Sequence, residues 1–324
     1  MDIELNKSYA VAFSGGLDST VVSLLMGRRY PQGNAHLLTV LNRGHIFPCL
    51  PKRHARDMKR ILGSGRVVHR YCRIYPEFRE MVVKHLWENY RAYGNSKFTV
   101  CLGCLLCMDV HFISYCLEHL VPIVCFGFTP HGSEYAVVEL PETCRERRKI
   151  YGSFGLIFRA PLMEMHMDKP EERHILKQFE VWPGWNFRKV AMGVQPPCLF
   201  GIAMHHLDIF FDIHPQPDRN FMTAFVRDRV EMVQRMVRAR LERKGIDVDE
   251  RVARLRALNA GEWERYGTDA PMLDNLAERR LIAEVGNVPG LEANSWPNAV
   301  PLFNHSELSR DGRPLPTVDI RTLR

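Results

Sequence analysis

Residues 8–29 read Ser-Tyr-Ala-Val-Ala-Phe, then Ser-Gly-Gly-Leu-Asp-Ser-Thr, then Val-Val-Ser-Leu-Leu-Met-Gly-Arg-Arg. An apolar run of β-forming residues, a glycine pair among hydroxyls and a run with helical apolar spacing predict a strand, a tight loop and a packed helix in succession. No other stretch narrows the fold as far. Gly15 and Gly16 let the backbone turn tightly and bare its N–H groups, while Ser14, Ser19 and Thr20 add hydroxyls at the helix start. With the positive end of the helix dipole, these groups make an anion site. The plain competitor is an ordinary turn in which Asp18 or Ser19 only caps the helix; the seven-residue string as a whole weighs against it. No Gly-Lys-Ser/Thr follows and GxGxxG is absent, so kinase and dehydrogenase readings drop away.

The alternation continues as an α/β unit requires. Strands are expected at residues 36–41, 66–72 and 122–126, and helices at 52–62, 77–93 and 108–119, giving a parallel sheet. Gly127 falls at the carboxyl edge of the last strand, where open α/β sheets collect ligands. Charged residues are 25% and hydrophobic residues 46% of the 324, ordinary globular usage that excludes wholesale disorder and collagen-like repeats. The longest nearly apolar stretches, 121–129 and 200–213, are broken by Pro, Gly, His or Asp, so no helix spanning a bilayer of ~30 Å is expected. The acidic start, Met-Asp-Ile-Glu, lacks the pattern of a signal peptide, and a cytoplasmic location is the expectation.

In a reducing cytosol, the nine cysteines point to metal or sulfur chemistry rather than disulfides. Cys101-Leu-Gly-Cys104-Leu-Leu-Cys107 just precedes the helix at 108–119, which places at least part of the trio on a loop entering a helix, where two thiolates can reach one metal. Cys198, in a Pro- and Gly-rich loop, is the best distant partner. Cys72, Cys116 and Cys125 sit in elements and read as small buried hydrophobes.

Beyond Gly201 a long basic helix is expected at about 221–244, then helices at 248–258 and near 273–285. Arg227, Arg229, Arg235, Arg238, Arg240, Arg243 and Lys244, with a net charge of +7, suggest a groove for RNA phosphates. Asp228, Glu231 and Glu242 interleave with them, so a solvated amphipathic face stands slightly ahead. His205, His206, His214, Asp208 and Asp212 lack a familiar metal spacing and read as structural. The expected organisation is a domain at 1–201 and a helical extension with an irregular tail at 202–324.

Ser14-Gly15-Gly16-Leu17-Asp18-Ser19 closely resembles the SGGxDS signature of the PP-loop ATP pyrophosphatases. The resemblance implies an α/β parallel-sheet domain of the HUP type, adenine nucleotide α-hydrolase-like. It also implies ATP held by Ser14, Gly15, Gly16, Asp18, Ser19, Thr20 and Gly127, Mg2+ near Asp18, and cleavage between the α and β phosphates to leave an AMP-activated substrate and pyrophosphate. Relatives that modify tRNA often carry a GHxxDD-like segment where this chain has Gly127-Phe-Thr-Pro-His-Gly-Ser-Glu134. The paired acids are missing and Glu134 is a weak replacement, so no second magnesium ligand is carried over.

CxxC followed much later by one cysteine, within the SGGxDS framework, resembles tRNA 2-thiocytidine synthetase and related thiolating enzymes. The likeness covers roughly residues 8–201 and includes Arg159-Ala160-Pro161-Leu162, similar to the family's R-P-L segment. It implies that Cys101, Cys104 and Cys198 hold a 4Fe-4S cluster, with Asp18, Cys101, Cys104 and Cys107 as catalytic candidates. The acceptor would be a carbonyl of a tRNA base or of a free purine-like heterocycle, and sulfur would come from a cysteine desulfurase or sulfide; a homodimer is compatible. Three alternatives stay open. One is a zinc-supported amide- or nitrile-forming ligase resembling 7-cyano-7-deazaguanine synthase, whose CxxCxxC belongs to a four-cysteine zinc site. The second is a metal-free route with a persulfide on Cys101, Cys104 or Cys107, the thiolate favoured by Lys97 and the following helix start. The third is a nucleotide-binding RNA adaptor without turnover.

Overall fold

The structure is a computed structural model that describes residues 7–45, 49–93, 96–129, 139–182, 198–199 and 219–268. Five strands form one wholly parallel sheet: β1 (Tyr9–Ala12), β2 (Ala35–Leu41), β3 (Val67–Arg73), β4 (Ile123–Cys125) and β5 (Ile157–Arg159), in the order β3-β2-β1-β4-β5. Register follows from β1, where Tyr9 faces Ala35 on one side and Ile123 on the other. The order reverses at β1, so the crevice at the carboxyl ends of β1 and β4 is the topological switch point where such sheets bind ligands. The α/β class read from the sequence is the class observed.

Strand residues alternate between two buried layers. Tyr9, Val11, Leu37, Ile123 and Ile157 face α1 (Leu17–Arg29), α2 (Pro51–Leu62) and the short α7 (Pro161–Glu164) with α8 (Lys169–Gln178). Ala10, Leu38, Val124 and Phe158 face the opposite layer. That second layer contains α3 (Tyr75–Phe78), a π-helical turn at Arg79–Val83, α4 (Leu86–Tyr93), α5 (Ser96–His119) and α6 (Pro141–Ser153). The C-terminal helices α9 (Arg219–Arg227), α10 (Val230–Glu242) and α11 (Val248–Asn259) share its core through Met222, Phe225, Val233, Val237, Leu241 and Leu255. The last turn, α12 (Trp263–Tyr266), returns to the first layer.

Four expectations need correction. The stretch expected as one helix at 77–93 is divided into α3, the π-turn and α4. The basic stretch at 221–244 breaks at Asp228 and Arg229, where Arg229 is buried and donates to the Phe225 carbonyl at 3.0 Å and to Asn89. The helix expected at 108–119 begins twelve residues earlier, at Ser96. Gly103 lies within this helix and admits another element, since a Cβ on it would lie 2.4 Å from Val82 Cγ2. Consequently Phe98–His119 is long and apolar enough to cross a membrane, contrary to expectation; most of it is buried as a core helix. The helix expected at 273–285, Glu134, and the His205 to His214 group lie outside the described residues.

Candidate nucleotide and thiol site

β1 delivers Ser14 to the crevice, and the loop that follows is held by its own hydroxyls. Gly16 N–H donates to Ser14 Oγ at 3.1 Å, Ser14 and Ser19 hydroxyls lie 3.2 Å apart, and Thr20 Oγ1 donates to the Gly16 carbonyl at 2.7 Å. Gly15 sits at φ +73°, where only glycine is comfortable, and a Cβ there would be 2.7 Å from Pro51 Cα. No side chain caps the first turn of α1, so its leading N–H groups are left for a ligand. From the other side of the crevice Gly127 closes onto the loop: a Cβ on it would stand 2.9 Å from Ser19 N and 3.0 Å from Asp18 Cβ. The structure thus brings together Ser14, Gly15, Gly16, Asp18, Ser19, Thr20 and Gly127.

Three charged residues that sequence reasoning missed join them. Lys169, the first residue of α8, pairs with Asp18 and also donates to Glu172 at 3.2 Å. Burial works against the Lys169 charge, but the two carboxylates raise its pKa above the ordinary lysine value. Glu172 is fully buried; burial and the Asp18 carboxylate beside it push its pKa far above the carboxylate range. Glu139 accepts from Thr129 N–H at 2.8 Å, and burial, with Asp18 nearby, raises its pKa too. Three acids and one lysine thus face the loop, a set that can take up a cation or phosphate charge according to its protonation. The signal at hand was Asp168-Lys-Pro-Glu171, which forms a complete capping box at the start of α8.

The thiols gather beside this crevice at the end of β2. Asn42 follows β2, and its amide nitrogen lies 3.6 Å from Cys104 Sγ and 3.9 Å from Cys198 Sγ. Gly44 N–H donates to Asn42 Oδ1 at 2.8 Å, which fixes the amide with its N–H2 toward the sulfurs. Cys198 is held there by a bridge to His45 and by Leu199 N–H donating to the Gly44 carbonyl at 2.8 Å. Cys101 lies one turn before Cys104 on α5, and the thiols of Cys198 and Cys101 both add to the burial that pushes Cys104 up to about 12. Cys107, one turn further along α5, is fully buried with its sulfur 4.0 Å from Met81 Sδ, and the Cys104 thiol adds to the burial that pushes it up. Among the described residues, no three Cys, His, Asp or Glu side chains stand in a ready metal-binding arrangement. The trio is a juxtaposition of soft donors beside an N–H donor rather than a preformed cage, and its chemistry fits a thiolate-bound metal.

Two expectations about these thiols are corrected. All three cysteines lie inside α5, not on a loop entering a helix, so no helix start adjoins them. Burial pushes Cys104 and Cys107 up rather than down, against a free low-pKa thiolate at either. The Lys97 side chain lies outside what is described. Cys116 and Cys125 are fully buried and Cys72 partly so. Three of the basic residues in this region are engaged within the chain: Arg238 of α10 with Asp249, Arg240 of α10 with Glu77, and Lys244, just past α10, with Glu118.

No protein-family model and no curated protein matches the chain. Among solved structures it is similar to the U34-tRNA thiolase NcsA from Methanococcus maripaludis with its 4Fe-4S cluster, at 15% identity and a TM-score of 0.36, covering 72% of this chain and 74% of that one. It is also similar to NMN synthetase from Francisella tularensis, at 11% identity and a TM-score of 0.35, covering 71% of this chain and 87% of that one. Likenesses this loose identify no activity.

Proposed function

We propose that the chain is an enzyme that spends ATP, in the manner of the PP-loop ATP pyrophosphatases its loop resembles, to exchange oxygen for sulfur on a nucleobase. The acceptor's carbonyl oxygen attacks the α-phosphate of ATP, pyrophosphate leaves, sulfide sulfur adds at the activated carbon, and AMP departs with the oxygen. The loop N–H groups and α1 dipole would hold the phosphates, with Lys169 and Asp18 setting their charge and the position of Mg2+. The acceptor is a base in tRNA or a free purine-like heterocycle; Arg43, next to Asn42, lies 3.9 Å over the Tyr75 ring and offers a planar cation of the kind that stacks on heterocycles.

The observation that carries this reading is the Asn42 amide facing Cys104 and Cys198 together, just past the carboxyl end of β2, the strand paired with the one that leads into the glycine loop. Cys101, Cys104 and Cys198 would hold a 4Fe-4S cluster, which when bound supplies an iron able to carry sulfur. Cys107 points into the core, which disfavours a zinc site that needs the whole CxxCxxC. The test is anaerobic purification with iron counting, alongside mass spectrometry of nucleosides and small heterocycles from cells with and without the protein. About four irons per chain are expected, lost in Cys101→Ala, Cys104→Ala and Cys198→Ala and kept in Cys107→Ala. One zinc that requires Cys107 but not Cys198 would select the ligase reading instead.

A further inference from the structure

We propose that His54 is a positioning residue that ties the glycine loop to the segment carrying Lys169, and so fixes the phosphate site. The inference rests on the reading that this loop takes ATP. His54 is 1% exposed on α2, and its two ring nitrogens point in different directions. Nδ1 lies 2.8 Å from the Gly15 carbonyl and 3.2 Å from Thr20 Oγ1. The Thr20 hydroxyl already donates to Gly16, so its oxygen is left to accept from Nδ1–H. Nε2 lies 3.0 Å from the Trp182 carbonyl, beyond the end of α8. Because both carbonyls accept, holding them together takes an N–H on each ring nitrogen, the imidazolium, which burial opposes and the two carbonyls favour.

The neighbouring residues of α2 grip the same two parts. Pro51 backs Gly15 at a distance that excludes a side chain. Arg53 places its guanidinium 4.5 Å over the Trp182 ring, and Arg60 donates to the Phe179 carbonyl at 3.2 Å. Residues 179–182 close the C-terminal end of α8, whose first residue is the lysine that meets Asp18. Among these contacts, the His54 ring is the one group that touches both the loop and the α8 segment. Losing it frees Gly15 to rotate away from the conformation that aims the loop N–H groups, and frees α8 to draw Lys169 off Asp18.

The two bonds can be separated by substitution. In His54→Asn the amide reaches about as far as Nδ1 and keeps the loop bond; in His54→Gln it reaches toward Nε2 and keeps only the Trp182 bond; His54→Ala loses both. The dissociation constant of Mg·ATP, measured by calorimetry on the full chain, should rise at least about tenfold in the Asn and Gln variants, each of which cuts the tie at one end, and at least as far in Ala. In turnover the same order should appear in KM for ATP and not in kcat. Hydrogen exchange at residues 14–20 without nucleotide should quicken in Gln and Ala and stay at the wild-type rate in Asn. Wild-type affinity in either the Asn or the Gln variant overturns the inference, as does equal exchange in all four proteins. A wild-type protein that does not bind Mg·ATP, with the exchange pattern as expected, overturns the nucleotide reading and leaves the His54 tie to the loop standing.

Discussion

Replacing Gly127 with alanine tests whether the β4 edge and the glycine loop form one site. The new methyl would sit 2.9 Å from Ser19 N and 3.1 Å from the Asp18 carbonyl carbon, atoms that move only if the backbone of α1 moves. Overpacking of this kind costs about 1–3 kcal/mol, and at roughly 2–4 °C per kcal/mol for a chain of this class the melting temperature should fall by about 2–12 °C. Wild type in Mg·ATP at about a hundred times its dissociation constant gains ~2.7 kcal/mol, a rise of roughly 5–11 °C. The Gly127→Ala protein should lose that rise, because the displaced atoms are those of the loop itself. Gly27→Ala is the control: its Cβ would meet Leu62 Cδ2 at 2.4 Å, across the α1–α2 contact. It should lower the melting temperature and keep the ATP-induced rise. A full rise in Gly127→Ala, measured by differential scanning fluorimetry at saturating nucleotide, would refute the argument that the two loops enclose one ligand.

Two further perturbations follow from buried charge. Arg147 binds Asp109 with both atoms of its fork, at 2.7 and 2.6 Å, and Tyr151 donates to the same carboxylate at 2.7 Å, all fully buried. Asp109→Ala should therefore cost about 3–5 kcal/mol in urea denaturation, while the Asp109→Leu, Arg147→Met pair should recover most of it because no lone charge remains. Glu172 has a folded pKa above its unfolded one, so its contribution is fully present below 4.5 and is lost as pH rises toward about 9. Glu172→Gln should flatten that decline, matching wild type near pH 4 and melting above it near pH 9; parallel curves across that interval would show that the carboxyl does not keep its proton on folding.

What could be read from the chain alone was what neighbours in sequence decide. The strand, loop and helix of residues 8–29 are local, with glycine, hydroxyl and apolar positions all agreeing. The expected start of α5 at 108 is twelve residues late because the cysteine run reads as the approach to the helix, and only the packing of Val82 against Gly103 shows why a glycine stands inside it. Lys169, Glu172 and Glu139 were invisible for a different reason: each is an ordinary surface-type residue in its own segment, and only the return of α8 and of the chain before α6 to the β4 edge gives it a partner. Asn42 is similar, a polar residue after a strand until Cys104 and Cys198 arrive from elsewhere.

The strand order has a kinetic side. β1 lies at the centre of the sheet yet is made first; Ala35 can pair with Tyr9 early, but Ile123 must be synthesised before the other edge of β1 is covered. Until then an apolar central strand carries an open row of N–H and C=O groups, a template for pairing with other chains. Completion waits later still, since Glu262, just before α12, accepts from the Tyr30 hydroxyl at 3.1 Å and lies 3.5 Å from both Lys7 and Arg29. Such late, long-range closure makes refolding slow and places the hazard of aggregation in the interval before β4 arrives. A nascent chain stalled before residue 123 should accordingly depend on chaperones that one released after 266 does not need.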